Sequence, residues 1–341
     1  MTLGVSIVGC GLIGRKRAAA LGEGARLVAC ADMDIQRARS LASTHPGVQA
    51  VDSALAAIDR PDVDLVMVAT TNDALAGVAR LAAETGKHVL IEKPAGRTVD
   101  ELDSVAAAAE RAGVLVRVGF NHRYHPALRK AQELLRAGAL GPMMFVRGRY
   151  GHGGRPGYER EWRADPGRAG GGELIDQGVH LIDLARLFLG EFTQIDGFAA
   201  TFYWPMPVDD NAFLLLRTDD GATAQLHVSC TEWKNLFSFE IYGRDAKLHI
   251  EGLGGSYGVE RLAYYRMLPE MGPPETTIWE YPGVDRSWTE EFAEFREDIR
   301  LRRPPSAGLP DARAALRVVA EIYRRTGRPR TTPVAAPAAA R

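Results

Sequence analysis

The stretch Val5-Ser6-Ile7-Val8-Gly9-Cys10-Gly11-Leu12-Ile13-Gly14 decides how the first third of this chain folds. Val5 to Val8 is a short apolar run of strand type, and an alanine-rich helical segment follows the glycines. The glycines permit a tight turn and bring backbone close to a ligand. The helix N-terminus beyond them offers free N–H groups to an anion such as a pyrophosphate. A glycine turn in a non-binding α/β fold is the competing reading. The strand before the loop and the helix after it favour the dinucleotide one.

Outward from this loop, apolar runs alternate with helical segments. Leu27 to Ala31, Leu65 to Ala69, His88 to Ile91 and Leu115 to Val118 are expected strands, and Val105 to Arg111 is expected helix. Near-continuous apolar strands separated by helices predict a parallel sheet covered on both faces. Right-handed crossovers make it a doubly wound, Rossmann-type α/β domain. Asp32 lies 18 residues past Gly14 at the end of the second strand, where a carboxylate can hold ribose hydroxyls. A carboxylate there repels a 2′-phosphate, so NAD is the expected cofactor and NADP the second choice. Leu12, Ile13, Met33 and Glu92 are expected to contact it beside the three glycines. Thr70-Thr71-Asn72 ends another strand and can contact cofactor or simply cap a loop. Arg15, Lys16 and Arg17 read as a solvated basic face rather than a phosphate clamp, and Asp34 with Arg37 as a local pair.

The pattern changes after His122. A helix is expected from about Pro126 to Arg136, ended by Gly138. Alternating segments follow at 214–217, 223–229, 237–242 and 247–250, which predict a large, mostly antiparallel open sheet in an α+β domain. Residues 311–325 read as an amphipathic helix. The expected organisation is 1–121 as an NAD(P)-binding domain, 122–326 as a substrate-binding and oligomerisation domain, and 327–341 as a disordered Pro/Ala-rich tail. A length of 341 residues suits two domains. With 46% hydrophobic residues a sizeable core is available, and a net charge of −1 argues against a nucleic-acid or membrane-surface binder. Cys10, Cys30 and Cys230 fit no disulfide or zinc template, so a reduced cytoplasmic protein is expected.

Three further residues suit proton handling. Lys93 follows a strand and precedes Pro94, and its ammonium can hold a carbonyl or alkoxide oxygen. A cis bond to Pro94 fits such a turn. Gly170-Gly171-Gly172 precedes a helix on which Asp176 and His180 stand four apart, on one face. A histidine can take a hydroxyl proton near neutral pH, with the carboxylate orienting it. An ordinary Asp–His helix pair has the same spacing. Asp183 is either a partner of His180 or a surface charge. His122, His125 and His152 with these residues fit no metal-binding spacing, and no metal is expected.

Taken together, Gly9-x-Gly11-x-x-Gly14, Glu92-Lys93-Pro94, Gly119-Phe120-Asn121-His122-Arg123-Tyr124 and the glycine-preceded Asp176-x-x-x-His180 resemble the glucose–fructose oxidoreductase / inositol dehydrogenase (Gfo/Idh/MocA) family to about residue 325. The resemblance implies NAD(P)-dependent oxidation or reduction of sugars, nucleotide sugars, inositols or related polyols. It implies Lys93, Asp176 and His180 as catalytic residues, and a homodimer or homotetramer formed through the C-terminal sheet. In the segment 150–163, Arg155, Tyr158, Trp162 and Arg163 are expected to bind substrate, with Arg123 and Tyr124 as weaker candidates. Aromatics stack on sugars and arginines pair with phosphate, so a nucleotide sugar is the first expectation. A free sugar or inositol is the second, and a non-catalytic NAD(P)-binding regulator the third. The same segment reads equally as an interdomain or intersubunit loop. Trp233 faces either the pocket or an interface.

Overall fold

A computed structural model describes residues 2–270 and 272–327. Beyond Gly327, the tail expected to be disordered lies outside the described residues. The chain forms two compact units, Met1–Arg129 with Val284–Leu316, and Lys130–Gly283 with Arg317–Arg341.

The first unit is built on six parallel strands: β1 (Leu3–Val8), β2 (Ala25–Ala31), β3 (Gln49–Val51), β4 (Leu65–Val68), β5 (His88–Ile91) and β6 (Val116–Val118). Their order is β3-β2-β1-β4-β5-β6, a doubly wound arrangement whose order reverses beside β1. Every residue of β4 is fully buried, as a central strand covered on both faces requires. The sequence-predicted strands of this unit are all present.

The segment 284–316 returns to this unit, whereas sequence reading placed it within 122–326. Packing explains the return. The helix Ser287–Leu301 buries Phe292 and Phe295 in one core with Ile7, Leu65, Met67 and Leu90. Its polar face meets two buried arginines. Arg17 bonds Glu92 at 2.6 Å and Glu291 at 2.5 Å, while Arg117 bonds Asp298 at 2.5 Å and Glu294 at 3.1 Å. Arg17 is therefore no part of a solvated basic face: its side chain is fully buried. Burial also pushes the Glu291 carboxyl above its ordinary value, although Arg17 opposes the shift. Arg37 does pair with Asp34, at 3.4 Å.

The second unit carries eight strands: β7 (Met143–Gly151), β8 (Gln194–Ala200), β9 (Asn211–Arg217), β10 (Thr223–Ser229), β11 (Leu236–Gly243), β12 (Ala246–Glu251), β13 (Glu260–Arg266) and β14 (Glu275–Tyr281). The order is β14-β13-β12-β11-β7-β10-β9-β8, antiparallel except where β10 joins β7. The helix Val179–Leu189 packs on β7 and β10 and buries Leu181, Ile182 and Leu184. On the edge strand β8 and its neighbour β9, Phe198 and Leu215 are about half exposed, and Phe198 stacks on Phe213.

Candidate functional site

In the first unit the glycine loop joins β1 to the helix Leu12–Ala19. A Cβ at Gly9 would stand 2.4 Å from the Ala69 carbonyl oxygen, and one at Gly14 would stand 1.9 Å from that of Gly9. Neither position admits a side chain. Gly11 differs: a Cβ there would meet nothing within 4 Å, so its bare backbone faces open space. No side chain caps the helix at Gly11, which leaves its first N–H groups available to an anion. Asp32 completes the cradle. One carboxylate oxygen accepts the Cys10 N–H at 2.8 Å and the other accepts the Asp34 N–H at 2.9 Å, which places the carboxylate beside the loop. Leu12 and Met33 are exposed, and Ile13 and Gly11 partly so. This cradle fits the diphosphate and ribose of a dinucleotide.

Thr70 and Thr71 lie after β4, and the helix Asn72–Glu84 begins at Asn72, which is buried. Glu92 does not present its carboxylate freely, because Arg17 holds it. Lys93 follows β5 and is partly exposed, with a cis peptide bond to Pro94. His122 is buried nearby. Burial first, then His125 and Lys93, hold its imidazole well below the ordinary value, so it is neutral near pH 7. Arg123 and Tyr124 depart from the sequence expectation. Both are buried. Arg123 bonds Asp311 at 2.9 Å and the Ser306 carbonyl, and the Tyr124 hydroxyl donates to Glu294 at 2.8 Å. They fasten the returning segment instead of lining a substrate pocket.

In the second unit the glycine triplet approaches other chain closely. A Cβ at Gly171 would strike the Tyr323 ring and one at Gly172 the Asp209 backbone. Leu174–Gly178 then forms one turn of π-helix before the α-helix Val179–Leu189. Asp176 sits inside the π turn and His180 in the first α turn, both buried. Such widened turns often accompany functional side chains. Asp183 is buried too, so it is no surface charge.

Arg163 donates from Nε to Asp176 at 2.9 Å and stacks over the Trp162 ring at 4.6 Å. The Asp176 charge raises the Arg163 pKa above its ordinary value. Arg155 pairs with Glu161 at 2.6 Å. Tyr158 is buried in a small core with Ala164, Met206, Val208 and Cys230, which anchors the segment 150–163 at that residue. The Tyr158 ring lies edge-on to His152, whose Nε2 is 3.5 Å from the buried Glu173 carboxylate. Burial opposes the His152 charge, but Glu173 and Asp176 outweigh it and raise the imidazole above its ordinary value. Tyr150 stands edge-on to His180 at 6.2 Å between ring centres.

His152 and Glu173 flank these residues and were not singled out as ligands from sequence. Asp209 and Tyr323 were missed altogether. Nothing local in sequence marks them, because each acts on residues 35 or more positions away. Trp233 is 69% exposed, has a left-handed backbone (φ +59°) and packs edge-on against Tyr203 at 4.8 Å.

Residues 3–120 match a family model described as an oxidoreductase family with an NAD-binding Rossmann fold, and residues 128–249 match a GFO/IDH/MocA C-terminal domain. The chain is 30% identical to levoglucosan dehydrogenase of Pseudarthrobacter phenanthrenivorans over 56% of each chain. It is 26% identical to the NAD(+) scyllo-inositol 2-dehydrogenase of Bacillus subtilis, over 86% of this chain and 84% of that protein. A solved levoglucosan dehydrogenase, in complex with NADH and L-sorbose, superposes with a TM-score of 0.84 at 24% identity, covering 95% of this chain and 98% of that one.

Proposed function

The chain belongs to the GFO/IDH/MocA family of NAD-binding oxidoreductases, and from that membership we propose that it is a dehydrogenase of an uncharged sugar or polyol. One observation carries the choice of an uncharged substrate. The arginines that sequence reading offered to a phosphate already hold carboxylates, Arg163 on Asp176 and Arg155 on Glu161. A phosphate would have to displace these carboxylate partners before either arginine could bind it. A sugar hydroxyl needs only the donors and acceptors that Asp176, Arg163 and their neighbours offer. The named relatives act on levoglucosan and scyllo-inositol, which carry no phosphate and support the same reading.

The roles are those the family resemblance implies, and the side-chain chemistry suits them. NAD, when bound at Gly9–Gly14 and Asp32, supplies the hydride acceptor. His180 takes the proton of the hydroxyl being oxidised. Lys93 donates a hydrogen bond to that oxygen as it becomes a carbonyl. Asp176 accepts a second hydroxyl and is itself oriented by Arg163. Reduction reverses these proton movements. Of the residues proposed to act on substrate, Lys93 belongs to the first unit and Asp176 and His180 to the second, and those proposed to hold cofactor at Gly9–Gly14 and Asp32 belong to the first. A homo-oligomer joined through the C-terminal sheet suits the half-exposed Phe198 and Leu215, and a reducing, cytoplasmic setting suits three buried free thiols.

The test follows nicotinamide reduction with free sugars, inositols and anhydrosugars on one side and nucleotide sugars and sugar phosphates on the other. Turnover is expected with the first set. Arg155→Ala is expected to change kcat/KM by less than about twofold, as for an exposed ion pair. Turnover confined to nucleotide sugars, collapsing in Arg155→Ala, would refute the uncharged substrate. Asp32→Ser is expected to raise the use of NADP relative to NAD by about tenfold or more, because it removes the charge that repels a 2′-phosphate. Initial rates with each cofactor measure this directly.

A further inference from the structure

Two adjacent residues before β9, Asp209 and Asp210, are fully buried, and their carboxylates face different parts of the second unit. Asp209 meets the start of the segment that carries Asp176 and His180. One of its oxygens accepts the Gly172 N–H at 2.9 Å and the Tyr323 hydroxyl at 2.7 Å, and the other accepts the Leu174 N–H at 2.8 Å. The Asp209 carbonyl takes the Glu173 N–H at 2.9 Å. Three consecutive residues, 172 to 174, are thereby tied to one side chain and its own backbone. The glycines at 171 and 172 make the close approach possible.

Asp210 binds a different segment. Its oxygens accept the backbone N–H groups of Phe202, Tyr203 and Trp204 at 2.8, 2.7 and 2.9 Å. That fixes Trp204, whose indole N–H donates to the Cys230 carbonyl at 2.9 Å and whose ring lies 5.6 Å from that of Tyr158. Tyr203 carries Trp233 on its edge in turn. One dipeptide therefore braces both the start of the segment that carries Asp176 and His180 and the aromatic cluster of Trp204 and Tyr158.

We propose that Asp209 and Asp210 are positioning residues with separable effects, Asp209 setting the catalytic step through Asp176 and His180, and Asp210 setting substrate affinity through Trp204 and Tyr158. The assignment rests on the dehydrogenase reading above. A carboxylate accepts at both oxygens, whereas an amide must turn its NH2 toward an N–H group that needs an acceptor. Asp→Asn at either position keeps the volume; it breaks one tie at Asp209, where a single N–H faces Oδ2, and two at Asp210, where each oxygen accepts two donors.

Asp209→Asn is expected to lower kcat by about 10–100-fold with KM within about threefold, since small misplacements of reacting groups cost this much. Asp210→Asn is expected to raise KM by roughly 3–10-fold with kcat within about twofold, the size of a lost aromatic contact. Hydrogen exchange on the full-length protein gives a readout independent of turnover. Asp209→Asn should speed exchange at residues 172–176 and leave 202–206 unchanged, with the reverse for Asp210→Asn. NADH binding, followed by fluorescence, should match wild type in both. Equal changes in kcat and KM for the two variants, or faster exchange throughout the second unit in either, would overturn the proposal. Local exchange changes in a protein whose wild type turns over no sugar would uphold the two braces and refute the dehydrogenase reading instead.

Discussion

On the role proposed for His180, His180→Ala is expected to lower kcat/KM for a sugar or polyol substrate by about 10²–10⁴-fold, the usual worth of a positioned general base. The loss falls mainly in kcat, because the proton is transferred only as the hydroxyl is oxidised. NADH affinity stays at the wild-type value, since the glycine loop and Asp32 belong to the other unit. Lys93→Met is expected to lower kcat/KM by about 10²–10³-fold, the worth of the hydrogen bond proposed from Lys93 to the developing carbonyl oxygen. Steady-state rates and cofactor fluorescence, measured side by side, check both. Undiminished turnover by His180→Ala would remove it from the proton-transfer role. Loss of NADH binding would reassign the defect to folding.

Arg17→Leu destabilises the first unit by about 3–5 kcal/mol, the cost of removing one partner from a buried charge cluster. Arg17 is shared by Glu92 and Glu291, and all three are buried. Without the guanidinium, two carboxylates face each other with no cation between them. The unfolding midpoint falls by roughly 6 °C or more for a unit of this size. Adding Glu291→Gln to Arg17→Leu recovers part of the loss, because one uncompensated charge is then gone. A melting temperature within about 2 °C of wild type for Arg17→Leu would show that water reaches the cluster and that burial has little energetic weight there. The consequence extends to the cofactor loop, because Arg17 lies in the helix that starts at the loop and Glu92 directly precedes Lys93.

Local patterns carried much of this. Short continuous apolar runs such as Leu65 to Val68, alternating with helical segments, read as strands covered on both faces, and the alternation in Phe237 to Tyr242 reads as a strand with two unlike faces. The spacing of Gly9, Gly11 and Gly14 specified the loop, because a Cβ has no room at the first and last of these positions. Arg123, Tyr124 and Arg155 were legible only as polar side chains that could serve a ligand. Whether they do depends on what packs beside them, and each has a partner within its own unit.

The sequence by itself determined the doubly wound sheet, the dinucleotide loop with Asp32, and the helix bearing Asp176 and His180. Short-range sterics and hydrophobic period govern these, and both are written within a few residues of each other. Tertiary structure alone decided three other matters. It returned 284–316 to the first unit, where Phe292 and Phe295 find a core and Glu291 and Asp298 find buried arginines. It paired the loop arginines Arg155 and Arg163 with the carboxylates of Glu161 and Asp176. It also set Asp209 against residues 172–174 and Asp210 against 202–204, because a carboxylate's hydrogen-bond partners depend on which backbone N–H groups folding brings within about 3 Å.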